Sequence, residues 1–135
     1  MSADATADMI KAVRAKLIAD STINTAVSGR VYSDWSTGAT LPLIRISVPI
    51  AREWEDDCGE GSELDLRVHV FAAGLKARSD LASQVRNALR SSELSLDTAY
   101  LRQITWDQTI NMQDPDDPSL FTAVVRFNAI TSTKP

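Results

Sequence analysis

Catalytic and anchoring residues are scarce in this chain. It has one cysteine, one histidine and four lysines (positions 11, 16, 76 and 134) among 135 residues. A lone Cys58 rules out an internal disulfide, which suits a reducing cytoplasm. No apolar run approaches the roughly 20 residues needed to cross a bilayer, so no membrane partner is expected. Met1-Ser2-Ala3-Asp4 has no basic patch ahead of an apolar core, which argues against a secretory signal. Basic residues are the minority, 14 against 18 acids, for a net charge of -4. Proteins that grip phosphates show the opposite balance, so tight DNA binding is disfavoured while proximity to DNA is not. There is no Gly-x-Ser-x-Gly elbow and no glycine-rich phosphate loop ending in Lys-Ser or Lys-Thr.

What is present describes a globular domain. Hydrophobic residues make up 44% and charged residues 24% of the chain, both ordinary values. The length suits one domain over residues 1–135, able to bury roughly two thirds of its unfolded surface.

Helical spacing of Met9, Ile10, Val13 and Leu17 predicts a helix from about Asp4 to Ala19. Its acids, Asp4 and Asp8, lie early, and Lys11, Arg14 and Lys16 lie further along, as the helix dipole prefers. Asp20 or Ser21 can cap a shorter helix that runs through Val27 and stops at Gly29. Arg30 to Ser33 is a short strand candidate, followed by a loop from Asp34 to Thr40 containing Gly38. Leu43 to Val48 alternates, with Ile44, Ile46 and Val48 opposite Arg45 and Ser47. Pro49 should end that strand or place it at an edge. Leu64 to Phe71 alternates again, with Leu66, Val68 and Val70 opposite Asp65, Arg67 and His69. Past Gly74 the period turns helical from Leu75 to Arg90, with Leu81, Val85, Ala88 and Leu89 on one stripe.

Two long strands close the chain. Tyr100, Ile104, Trp106, Ile110 and Met112 keep one parity, and Phe121, Ala123, Val125, Phe127 and Ala129 keep the other. Asp114-Pro115-Asp116-Asp117-Pro118 between them is a turn by composition, so the two strands should pair antiparallel. The expected fold class is α+β: an antiparallel sheet of about four strands with two main helices packed on one face.

The clearest charge feature is the acidic stretch Glu53, Glu55, Asp56, Asp57, Glu60 and Glu63, with no Lys or Arg among them. As a loop it stays solvated unless a cation or a partner neutralises it. Divalent metals prefer carboxylate oxygens, but this spacing does not match the twelve-residue calcium loop. The other readings are a charged face toward a partner or passing DNA, and an ordinary hairpin loop. Pro115-Asp116 could open a nuclease-type motif, but no acid precedes a downstream lysine to complete it. His69 lies mid-strand on the polar or subunit-facing side. The carboxylates around Cys58 oppose its thiolate, which counts against a Cys–His pair. Trp106 belongs to an apolar face, whereas Trp35 and Trp54 fall in or beside loops, where large aromatics often serve interfaces.

Several segments together resemble the phage tail-terminator family, also known as tail-completion or tail-to-head joining proteins. They are Gly29-Arg30-Val31-Tyr32, Leu41-Pro42-Leu43-Ile44, Leu64-Asp65-Leu66-Arg67-Val68-His69-Val70-Phe71, Val85-Arg86-Asn87-Ala88-Leu89 and Val125-Arg126-Phe127. The resemblance runs from about Met9 to Thr131 and rests on the order and spacing of these segments. It implies a subunit of a homo-hexameric ring that caps the tail tube and then meets the head connector, with DNA passing through the hole. The expected partners are therefore further copies, the tube protein and the connector or stopper protein, in a phage or a gene transfer agent. No cofactor, metal or catalytic residue is implied. Charge alone nominates Glu53, Trp54, Glu55, Asp56, Asp57, Glu60, Glu63, Asp114, Asp116 and Asp117 as partner-facing or channel-facing. The competing readings are another head–tail connector or minor tail component, and a small metal-dependent hydrolase using the acidic stretch.

Overall fold

The structure is a computed structural model that describes residues 5–33, 40–90, 93–114 and 116–134. In chain order the elements are α1 (Thr6–Ala19), α2 (Ser21–Val27), β1 (Val31–Tyr32), β2 (Leu43–Asp56), β3 (Gly59–Ala72), α3 (Leu75–Leu89), β4 (Ala99–Asp114) and β5 (Asp117–Thr133). Asp4, the loop residues Asp34 to Ala39 with Trp35 and Gly38, and Pro115 lie outside the described residues.

Local chemistry accounts for the helices. Met9, Val13 and Leu17 recur every four residues, and all three are fully buried along α1, because such a spacing returns to one helix face. Asp20 is the α2 cap. Its Oδ1 accepts from the backbone N–H groups of Thr22 at 3.0 Å and Ile23 at 3.1 Å, satisfying donors that the first turn leaves open. At the other end Ser28 and Gly29 both take positive φ, 51° and 74°, which unwinds the helix and turns the chain into β1. α3 buries Leu81, Ala82, Val85 and Leu89.

The segments before Asp34 and after Ala39 meet directly. Val31 lies opposite Ile44 and Tyr32 opposite Arg45, in parallel. Arg30 Nε donates to the carbonyl of Pro42 at 3.0 Å, and Arg14 Nε of α1 donates to that of Val31 at 3.0 Å.

The five strands form one sheet in the order β1-β2-β3-β5-β4, antiparallel except for β1 with β2. The count is five against about four expected, and the short candidate at Arg30 to Ser33 is present as the two-residue edge strand β1. Ile44, Ile46, Leu64, Leu66, Val68, Val70, Ala123, Val125, Phe127 and Ala129 face the three helices and form the core with them. The helices cover this face only, so the other face carries the opposite parity: Arg45, Ser47, Asp65, Arg67, His69 and Phe71 with Val124, Arg126 and Asn128.

Three expectations change. Pro49 does not end its strand but lies where β2 is an edge, the other half of that expectation, because β1 pairs only with Ile44 and Arg45. The register slips between Ser47 and Ile50, and this bulge accommodates a residue without an N–H while β2 runs on to Asp56. The acidic stretch is therefore mostly strand rather than loop. In β4 the residues Tyr100, Ile104, Trp106, Ile110 and Met112 do not share a face. Register shifts at Leu101/Gln103 and Trp106/Gln108 each insert one residue, so Ile104 and Trp106 face the helices while Tyr100, Ile110 and Met112 face away.

Candidate functional site

The β2–β3 hairpin carries the acidic residues to one end of the sheet. Glu53 lies opposite Ser62, Trp54 opposite Gly61, Glu55 opposite Glu60 and Asp56 opposite Gly59. Asp57 and Cys58 form the turn, and Asp56 Oδ1 accepts from the Cys58 N–H at 2.8 Å. Glu53, Glu55, Asp56 and Asp57 are exposed, and Glu60 and Glu63 are half-buried. Strand alternation splits these acids. Glu53, Glu55 and Glu60 follow the helix-side parity, and Trp54 and Glu63 the opposite one. Two like charges directly opposite, Glu55 and Glu60, disfavour the isolated pair.

Trp54 folds back onto its own subunit. Its Nε1 donates to the carbonyl of Thr131 on β5 at 2.9 Å, across β3 at Gly61. A Cβ on Gly61 would sit 1.9 Å from that same oxygen. Behind it, Thr131 Oγ1 accepts from the Ser62 N–H and donates to the Ser62 carbonyl, both at 3.3 Å.

The second acidic group, Asp114, Asp116 and Asp117, sits at the β4–β5 turn, where Asp114 lies opposite Asp117. Asp117 Oδ1 accepts from the Ser119 N–H at 3.1 Å and its hydroxyl at 2.6 Å. β5 pairs Ser132 with Gly61 and Phe121 with Ala72. The β4–β5 tip therefore projects from the far end of the sheet, roughly 50 Å along the strands from the β2–β3 tip. The structure does not bring the two nominated groups together.

Between them, the uncovered face holds a charge cluster that spans three strands. Asp65 Oδ2 accepts from Arg67 at 2.9 Å and from Arg126 at 3.3 Å. Arg45 is only 8% exposed and stacks its guanidinium 5.6 Å from the Phe71 ring centre. His69 stacks on Phe71 and lies 3.3 Å from the Ser47 hydroxyl. Burial, then the charges of Arg67 and Arg45, hold the His69 imidazole below its ordinary pKa, so it is neutral at neutral pH. The alternation Asp65-Arg67-His69 signalled this face. Arg126 and Arg45 join it only through strand pairing.

The arrangement is a set of surfaces. Among the described residues no three His, Cys, Asp or Glu side chains converge to hold a metal ion, because the hairpin pleat sends its carboxylates to both faces. His69 sits mid-sheet and Cys58 at the exposed hairpin tip, so they form no nucleophilic pair. A small α+β domain with a helix-covered sheet face, an uncovered polar face and two projecting hairpins has the build of an assembly subunit.

The chain belongs to the family described as Tail completion protein gp17, whose model matches residues 11–132. It is thus a phage tail structural protein. Among solved structures, it is similar to a chain in the virion of a native gene transfer agent particle. That match has a TM-score of 0.83 and 19% identity, covering 93% of this chain and 96% of the other. At that identity the likeness speaks for the fold. No curated protein sequence matches the chain.

Proposed function

We propose that the chain is a tail terminator, one subunit of a homo-hexameric ring that caps the tail tube and joins it to the head connector or stopper. DNA passes through the ring without sequence-specific binding, and the subunit catalyses no reaction. Family membership over residues 11–132 carries this reading. Two features support it. A ring subunit that meets further copies as well as tube and connector needs several separate attachment surfaces, and the two acidic tips project from opposite ends of the sheet. A DNA conduit should not hold passing phosphates, and the net charge is -4. In this reading Glu53, Trp54, Glu55, Asp56, Asp57, Glu60 and Glu63 at one tip, and Asp114, Asp116 and Asp117 at the other, face partners or the channel.

Negative-stain images of the purified protein, alone and with tail tubes, test the proposal. Six-fold rings, free or seated on tube ends, are expected, and tubes that stay uncapped overturn it. Replacing Glu53, Glu55, Asp56 and Asp57 together with serine should impair assembly or DNA delivery. Particles that assemble and deliver DNA normally would remove that tip from the functional surface. Tight Mg²⁺ or Mn²⁺ binding would favour a hydrolase instead.

A further inference from the structure

Among the described residues the large exposed apolar side chains are Ile50, Leu75, Tyr100, Ile110 and Met112. All but Leu75 lie on the sheet face that no helix covers. The same face carries Arg45, Arg52, Arg67 and Arg126, with Lys134 over the Tyr100 ring at one end. Arginine, aromatic and methionine side chains are enriched in protein interfaces relative to a solvated surface. Ile50, Arg52, Asp65, Asp107, Arg126 and Asn128 line a groove across it. The face carries Glu63, Asp65 and Asp107 against its four arginines, and Asp65 serves two of them, so a positive excess remains. The Arg67 and Arg126 side chains stay partly exposed, 32% and 26%, so their guanidinium groups remain within reach of an incoming acceptor.

The matching acceptors lie on the same chain but out of its own reach. The β2–β3 tip presents Glu53, Glu55, Asp56 and Asp57 to solvent. The distance along β3 from Gly59 at the tip to Arg67 is roughly 27 Å. Edge pairing is a poorer way to join copies along β4. The outer strand β4 is interrupted by bulges at Arg102 and Asp107, both charged and exposed, and charged bulges block strand addition.

We infer that the uncovered sheet face, centred on Arg67 and Arg126, receives the acidic β2–β3 tip of a second copy of this chain, head to tail. This rests on the ring reading above and names its subunit contact. Tip and face are different surfaces, so the contact is heterologous, the kind that closes into a ring when the rotation permits.

The single native cysteine at the tip makes the inference testable. Gln108 lies opposite Arg126 on β4, is exposed, and follows the same face. Within one subunit Cys58 and position 108 are roughly 27 Å apart along the strands, far beyond the about 7 Å that a disulfide spans between Cα atoms. Mild oxidation of the Gln108→Cys variant, alone and with tail tubes, should yield a covalent ladder that extends past the dimer. Gln108→Cys combined with Cys58→Ser should give none, and neither should Ser83→Cys on α3. Asp57→Lys should weaken self-association by at least about tenfold with an unchanged circular dichroism spectrum. Rings in electron micrographs without a ladder overturn this contact and leave the ring reading standing. A ladder that stops at the dimer, or no rings at all, overturns both.

Discussion

The indole of Trp54 on β2 and the carbonyl of Thr131 on β5 are joined by a 2.9 Å hydrogen bond that crosses the intervening strand. The crossing is possible because the residue between them is Gly61, where even a methyl group would collide with the Thr131 oxygen. The pair ties the β2–β3 hairpin to the final strand at the end of the sheet where the helices give way to solvent. Trp54→Phe should keep most of the packing and lose the hydrogen bond, costing about 1 kcal/mol. Gly61→Ala should cost more, about 2–3 kcal/mol, because the backbone itself must move. Urea unfolding of the two variants gives the order, and a neutral Gly61→Ala would show that the strands are not in close contact there.

Asp65 holds two guanidinium groups on a face with little water. Asp65→Asn removes the shared charge and leaves Arg67 and Arg126 facing each other, so it should destabilise by about 1–3 kcal/mol. The loss should shrink in 1 M NaCl, since screening relieves the arginine repulsion. A loss that does not change with salt would assign the effect to packing alone.

His69 makes stability depend on pH. Its folded-state pKa lies below the ordinary value because of burial and two neighbouring arginines. The unfolded chain therefore takes up the proton first as the pH falls. The contribution is fully present above about pH 6.5 and is lost as pH drops through the folded value. Wild-type protein should lose more stability between pH 7.5 and 5.5 than His69→Gln does. Parallel slopes for the two proteins would contradict the burial of the ring.

Asp20 caps α2 through two backbone donors. Asp20→Ala should cost about 1 kcal/mol, and Asp20→Asn should recover most of it, because the amide oxygen still accepts. Thermal unfolding followed by circular dichroism separates the two.

Much of the fold was legible in the chain because it depends on near neighbours. The stripe Met9, Val13 and Leu17, the cap at Asp20, the positive-φ turn at Gly29 and the alternation from Leu64 to Phe71 all act within a few residues. Each settles local conformation without help from the rest of the molecule. The acidic residues were equally visible as a charge run.

Sequence by itself determined the helices, the strand count to within one, and which side of β3 is apolar. Only the tertiary structure decided register and juxtaposition. The bulges at Pro49, Arg102 and Asp107 reset which residues face the helices, and no local periodicity announces an inserted residue. The acidic stretch became strand because Glu53–Asp56 fold back on Gly59–Ser62, and that second arm is held in turn by distant β5. Asp65 met Arg126, and Trp54 met Thr131, because β5 lies beside β3. That neighbour relation comes from burying one apolar face under the helices, a condition on the whole chain rather than on any segment of it.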